Sequence, residues 1–457
     1  MPPAAPMAAD SHNGCPPRLD LLDESLKVLH EFDVGAFEGP WKIDASAAAL
    51  RAINPIRVIT DAIKVQPHAG KELLSVAIGD PCVFGNLQAP KIASEALIRA
   101  VQSGAHNGYT NSLGLPECRE AVAEYHNARL PRCQRVAVDD VIVTSGCSQA
   151  LQVVYACLAN PGANILLPRP GFPLYLSLAQ YFDIEVRFYD LLAERGWEAD
   201  PEQIRALTNK HTVALLICNP GNPSGAVYSR RHLQELADLA AGLRIPIIAD
   251  EVYGGMVFEG REFVPIASVA HRTPVLTVGG ISKRWLVPGW RLGWLILNDP
   301  IGVLTDSSFR EAAVKMMQML MGPATITQAA VPTILRETPA EFFDGTLRQL
   351  QAGADYCVER IARIRGLECP GRPHGSMFLM ARLRAGAFPA FESDVEFARE
   401  LLQEEAVVLL PGTAFGAVGW LRVVFVAPLS ILERVWDRVE AFCDRHAVSG
   451  ETLPCKE

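Results

Sequence analysis

The chain has 457 residues, 49% of them hydrophobic and 20% charged, with 42 Lys and Arg against 51 Asp and Glu for a net charge of −9. This balance supplies ample core and excludes global disorder, and the length suits two large domains or roughly three average ones. An acidic chain with no dense basic stripe is a poor binder of nucleic acid or of an anionic membrane, and no apolar run reaches the ~18–20 residues that span a bilayer.

The first seventeen residues close on Cys15-Pro16-Pro17 and are rich in Pro, Ala and small polar residues. They lack the basic and then apolar regions of a secretory signal. Arg18 is the only arginine among the first fifty residues, so a transit peptide is not expected either. Residues 1–44 read as a flexible tail or arm. Eleven cysteines, from Cys15 to Cys455, contain no CxxC pair. That favours free thiols in a reducing compartment over a disulfide lattice or zinc ribbon. A cytoplasmic enzyme with no metal site is expected.

From about Asp139 short apolar runs alternate with amphipathic stretches. Val141-Ile142-Val143 reads as a strand and Gly146-Cys147-Ser148 as a tight loop opening a helix that carries Leu151, Val154 and Leu158. Further strands are expected at Asn164–Leu167, Ile184–Phe188, Val213–Cys218, Ile245–Ala249 and Val275–Val278, with a helix from Arg230 to about Leu243. Buried strands separated by helices describe an α/β core with a mainly parallel sheet sandwiched by helices. Later, Phe342–Arg365 looks helical, Ser376–Ala381 and Leu421–Phe425 look extended, and a terminal helix is expected near Ile431–His446. The expected division is a large domain over 81–325 and a smaller α+β domain made of 45–80 and 326–457.

Ligands collect beyond the carboxyl ends of parallel strands, and these ends carry an unusual set of side chains. They hold Ser145, Gly146, Cys147 and Ser148 at a helix start, Asn219 and Asn222, then Asp250, Glu251 and Tyr253, and finally Ser282, Lys283, Arg284 and Arg291. Such a set suits a phosphorylated pyridine aldehyde. A glycine-containing loop at a helix start offers N–H groups and a positive dipole end to a phosphate, and Ser148, Ser282 and Arg291 add donors and charge. A carboxylate keeps a ring nitrogen protonated, so the ring becomes an electron sink, and a lysine forms the Schiff base and then moves the proton. Taken singly, each feature has a plain structural explanation, such as a turn, a helix cap, a packed phenol or a solvated lysine. The joint order lifts the case.

That order resembles the fold-type I aminotransferases dependent on pyridoxal 5′-phosphate. The resemblance rests on Thr144-Ser145-Gly146-Cys147-Ser148-Gln149-Ala150, Pro168-Arg169-Pro170-Gly171-Phe172, Asn219-Pro220-Gly221-Asn222-Pro223-Ser224-Gly225, Ala249-Asp250-Glu251-Val252-Tyr253 and Ser282-Lys283-Arg284 followed by Pro288-Gly289-Trp290-Arg291-Leu292-Gly293. Within that family Asn54-Pro55-Ile56-Arg57, Pro168–Tyr175, Gly279–Gly293 and Asp394-Val395-Glu396-Phe397 look most like its tyrosine aminotransferase branch. The likeness covers roughly residues 45 to 445.

The resemblance implies that Lys283 holds the cofactor, Asp250 faces the pyridine nitrogen, and Asn222 and Tyr253 share the ring's 3′-oxygen. Phe172 would cover a ring face. Gly146, Cys147, Ser148, Ser282 and Arg291 would hold the phosphate, with Tyr109 reaching it from the neighbouring subunit of a homodimer that shares its active sites. Arg422 would take the substrate α-carboxylate. Gly79 would lie beside the substrate on a segment that moves on closure, and Asn54 and Arg57 would lie close by. The implied activity is ping-pong transamination of tyrosine, phenylalanine and tryptophan with 2-oxoglutarate or pyruvate. Alanine or kynurenine transamination, or a carbon–sulfur (β-elimination) lyase, would use the same Lys283, Asp250 and Arg422. A non-catalytic cofactor-binding regulator would need a DNA-binding region, and the short, non-basic N-terminal segment does not supply one.

Overall fold

A computed structural model of the chain describes residues 42–63, 65–66 and 70–448. Most of the arm expected over 1–44 lies outside them. In chain order the strands are β1 (Leu74–Ser75), β2 (Val141–Thr144), β3 (Asn164–Arg169), β4 (Glu185–Leu192), β5 (Glu198–Ala199), β6 (Thr212–Cys218) and β7 (Ile247–Asp250). Then come β8 (Val275–Gly280), β9 (Gly293–Asn298), β10 (Leu367–Glu368), β11 (Phe378–Leu383), β12 (Val407–Val408), β13 (Leu410–Pro411) and β14 (Trp420–Val424).

The large sheet has the order β2-β9-β8-β7-β6-β3-β4-β5. Strands β8, β7, β6, β3 and β4 are mutually parallel, whereas β9 runs against both β2 and β8, and β5 against β4. Alternate residues of the central strands feed opposite faces, as the two-residue period requires. Leu215, Ile217, Ile247 and Ala249 pack with Leu233, Leu236 and Ala240 of the helix Arg230–Leu243. Ala214, Leu216, Ile248 and Leu276 pack with Ala150, Leu151 and Val154 of the helix Cys147–Leu158. Both faces are covered, which is why these strands read as continuous apolar runs.

Val141–Val143 and Val275–Val278 flank the antiparallel β9. One expectation needs correction. The strand expected at Ile245–Ala249 begins two residues later, since Pro246 has no N–H for the ladder and takes part only through its carbonyl, which accepts from Leu215 N at 3.0 Å.

A second sheet, β10-β11-β14-β13, is antiparallel throughout. Its core draws Leu350, Ala354 and Cys357 from the helix Ala340–Arg363, Phe397 and Leu401 from Asp394–Glu405, and Leu432, Trp436 and Phe442 from Leu429–His446. β1 pairs in parallel with β12 through Leu74↔Val407, so the chain ahead of the large sheet packs with its C-terminal part. Among the described residues no helix is long and apolar enough to cross a membrane.

Candidate active site

Asp250 is the last residue of β7, level with Cys218 on β6 and Val278 on β8. The segments that follow these three strands therefore emerge at one rim, the usual ligand position of an open parallel sheet. The helix Cys147–Leu158 starts beside it. Gly146 caps that helix at φ +77°, a left-handed conformation that costs glycine little. A Cβ at Gly146 would stand 2.6 Å from Arg291 Nη2, so the arginine lies directly on this turn. The helix opens without a side-chain cap, leaving its first N–H groups unpaired within the helix and directed outwards.

The rim surrounds a cavity of about 330 Å³, within the size range of small-molecule sites. Lys283, Asp250, Tyr253, Asn222, Arg422 and Asp80 all line it. Lys283 is partly buried, and its Nζ donates to the Gly79 carbonyl at 2.7 Å. Burial pushes its ammonium pKa down, while the nearby Asp80 carboxylate opposes that shift. Asp250 is 4% exposed. Burial raises its pKa, and a hydrogen bond from the Tyr175 hydroxyl, the Val252 N–H and the charge of Lys283 pull it back.

Arg422 sits on β14 and is 3% exposed. Its Nη2 donates to Ala77 O at 2.5 Å and its Nη1 to Asn222 Oδ1 at 3.3 Å. The guanidinium lies between the rings of Phe378 and Phe415, 4.7 and 4.5 Å from their centroids, and its buried Nε makes no hydrogen bond. Burial lowers its pKa to about 10, so it remains a cation at neutral pH. A planar, clamped guanidinium with a free donor is suited to a carboxylate.

Cys147, Ser148, Ser282 and Arg291 line the same cavity. Arg291 Nη1 donates to Pro288 O at 2.9 Å and Nη2 to Ser145 O at 3.2 Å, which turns the guanidinium towards the helix start. Burial and the Asp250 charge raise the Cys147 thiol pKa well above its usual value, so this sulfur is neutral and the backbone around it is the better anion partner. Phe172 lines the cavity and meets Tyr175 edge-on at 5.7 Å. Gly79 lies across from Phe378, whose ring a Cβ there would approach to 3.2 Å.

Four expected residues do not line this cavity, and one of them, Gly146, still forms the turn at its edge against Arg291. Asn54 is exposed and caps the helix Pro55–Ala62 by accepting from Arg57 N at 3.3 Å, and Arg57 is exposed too. It is Ile56, between them, that lines the cavity. Tyr109 is 95% exposed and borders a separate cavity with residues 321–326. Conversely, Asp80, Tyr175, Ile56 and Ile78 line the site without having been picked out from sequence. The Gly79-Asp80-Pro81 turn was the one available signal for Asp80.

The model of the family "Aminotransferase class I and II" matches residues 71–438. The tyrosine aminotransferase of Homo sapiens is 43% identical over 408 residues, covering 89% of this chain and 88% of that protein. Nicotianamine aminotransferase 1 of Oryza sativa subsp. japonica is 39% identical over 402 residues, covering 88% of this chain and 81% of that protein. The crystal structure of tyrosine aminotransferase from Leishmania infantum superposes with a TM-score of 0.86 at 35% identity, covering 90% of this chain and all of that one.

Proposed function

This chain belongs to the aminotransferase class I and II family, and on that premise we propose that it transfers the amino group of aromatic L-amino acids, tyrosine foremost, to a 2-oxo acid such as 2-oxoglutarate or pyruvate. The observation that carries this reading is the meeting of Lys283 Nζ, the Asp250 carboxylate and the Arg422 guanidinium in one cavity.

The proposed cofactor is pyridoxal 5′-phosphate, which when bound supplies an electron sink for the bond broken at the substrate Cα. The residues present suit it. The turn at Gly146, which a Cβ would fill against Arg291, makes an anion cradle with Ser282 and the free N–H groups of the helix start. Asp250 holds a proton on the ring nitrogen, and Asn222 and Tyr253 serve the ring oxygen. Lys283 anchors the cofactor and then carries the proton at Cα. Its depressed pKa leaves a larger fraction as the free amine that such a base requires.

Arg422 fixes the α-carboxylate, while Phe172, Leu174, Ile56 and Ile78 offer an apolar wall to an aromatic side chain. The exposed Tyr109 serves the phosphate of the neighbouring subunit in a homodimer, and the enzyme works in the cytoplasm.

The test is a set of initial rates for the purified chain supplied with the cofactor. Tyrosine, phenylalanine, tryptophan, alanine and kynurenine are each paired with 2-oxoglutarate and with pyruvate, and a cysteine conjugate is included to reveal lyase activity. Aromatic donors are expected to lead by about ten-fold or more in kcat/KM. A lead for alanine or kynurenine, or release of a thiol from the conjugate as the main reaction, would overturn the assignment.

A further inference from the structure

One stretch of main chain, residues 76–80, holds both Arg422 and Lys283. Val76 is pinned on two sides, its N–H donating to Val408 O at 3.1 Å and its carbonyl accepting from Val424 N at 2.9 Å. The Ala77 carbonyl then accepts from Arg422 Nη2, and the Gly79 carbonyl from Lys283 Nζ. Asp80 follows at once and lines the same cavity. At no more than ~3.6 Å of main chain per residue, its Cα stands within about 11 Å of that of Ala77. The backbone therefore ties the Asp80 carboxylate closely to both cations.

Two carboxylates line the cavity, Asp80 and Asp250. Asp250 is buried and already accepts from the Tyr175 hydroxyl and the Val252 N–H, and the proposed function assigns it to the ring nitrogen. Asp80 is half-buried. Its Oδ1 accepts from Cys82 N at 2.8 Å, which closes the turn and orients the carboxylate, while Oδ2 makes no hydrogen bond among the described residues. Lys283 Nζ donates to the Gly79 carbonyl and forms no ion pair with Asp80. Even so, of the charges acting on Lys283 that of Asp80 has the largest effect, raising its pKa against the pull of burial. A substrate amine has to arrive where Lys283 Nζ now lies. A carboxylate whose charge reaches Nζ without pairing to it is placed to meet that amine.

We propose that Asp80 receives the α-ammonium group of the incoming amino acid while Arg422 takes its α-carboxylate, so that the cavity recognises the zwitterion by both charges. The proposal rests on the transamination reading above and adds to it a residue that tells the two substrate classes apart. An amino acid carries an ammonium group and a 2-oxo acid does not, so only the amino acid gains a charge-assisted hydrogen bond from Asp80. No bond is made or broken in this step. Held there, the substrate nitrogen stands beside the lysine that it has to displace, which is the positioning that the reaction needs.

The experiment compares the wild-type holoenzyme with Asp80→Asn, which keeps an oxygen acceptor for Cys82 N and loses only the charge. Each half-reaction is run alone by rapid mixing, and the substrate concentration at half-maximal rate is read. For tyrosine it should rise about ten-fold or more, the loss of one charge-assisted hydrogen bond, while for 2-oxoglutarate it should stay within about two-fold. Competitive inhibition by 3-(4-hydroxyphenyl)propionate, which has the ring and carboxylate of tyrosine but no amine, should also stay within about two-fold. An equal loss for all three ligands would show that Asp80 acts through Lys283 or through the shape of the cavity. No loss for any of them would show that it does not touch the ammonium group, and either result overturns the proposal. Should alanine lead the panel of donors, alanine and propionate replace tyrosine and its analogue, so a failed aromatic preference leaves this comparison readable. A wild type that transaminates no amino acid would sink the transamination reading and this proposal with it.

Discussion

The Tyr175 hydroxyl donates to Asp250 Oδ2 at 2.7 Å, with both side chains buried. Tyr175 lies on the helix Leu174–Tyr181, outside the strand that carries Asp250. The bond favours the carboxylate over the acid form, offsetting part of the upward shift that burial imposes. Removing it in Tyr175→Phe takes away a charge-assisted hydrogen bond of ~1.5–3 kcal/mol, which corresponds to about one or two pKa units. The carboxyl then ionises only at higher pH, so the acid limb of the kcat profile should move towards alkaline pH by about that amount. An acid limb that stays in place would show that Tyr175 only fills space.

If the proposed cofactor is anchored on Lys283, Lys283→Ala should abolish the violet-edge absorbance expected of the loaded wild type and should cut turnover by about 10⁴-fold or more, because anchoring and proton transfer would reside in the same amine. Absorbance and single-turnover rates check the two roles separately. Turnover close to wild type would remove Lys283 from the chemistry.

Arg422→Lys keeps the positive charge but loses the planar pair of donors. The bonds from Nη2 to Ala77 O and from Nη1 to Asn222 Oδ1 cannot both be reproduced by one ammonium. Losing one charged hydrogen bond, at ~1.5–3 kcal/mol, corresponds to roughly a 10- to 150-fold rise in KM for the amino acid. A smaller effect on kcat is expected, since the carboxylate is bound in ground and transition states alike. Steady-state kinetics with tyrosine provide the check, and an unaltered KM would exclude Arg422 from carboxylate binding.

What could be read from the sequence follows from how locally each feature is encoded. Ile247–Asp250 is an apolar run closed by a carboxylate, and Val275–Gly280 is followed closely by Lys283. Strand ends of this kind announce a rim, and the structure gathers Asp250, Lys283, Asn222, Tyr253 and Arg422 around one cavity. Other features depend on pairings that no short window contains. The bond from Tyr175 to Asp250 joins residues far apart in the chain. The two-residue strands β1 and β12 are defined only by each other. The β9 run Gly293–Asn298 is as apolar as its parallel neighbours, and its reversed direction goes with a 281–292 connection that carries only a short 3-10 turn at Pro288–Trp290 in place of a crossover helix. Asn54 and Arg57 were drawn towards the site by their motif, but the cap that Asn54 provides to the helix Pro55–Ala62 turns both outwards and leaves Ile56 facing in.

Glu251, next to Asp250 but outside the cavity that Asp250 lines, links the fold to pH. Its Oε1 accepts from Ile266 N at 2.9 Å, and burial raises its pKa to about 8. In the unfolded chain the group titrates near ~4.3. Between these values the unfolded state releases a proton that the folded state keeps, so the folded state binds more protons and stability falls as pH rises through that window. The slope approaches about 1.4 kcal/mol per pH unit and vanishes below ~4 and above about 8. Glu251→Gln keeps an acceptor for Ile266 N and has no proton to lose. Between pH 5 and pH 7 its stability should therefore gain roughly 2–3 kcal/mol relative to wild type, read from urea unfolding midpoints at each pH. Parallel pH profiles for the two proteins would mean that Glu251 is already ionised in the folded chain, with the guanidinium of Arg129, which lines the same small internal cavity, outweighing the cost of burying its charge.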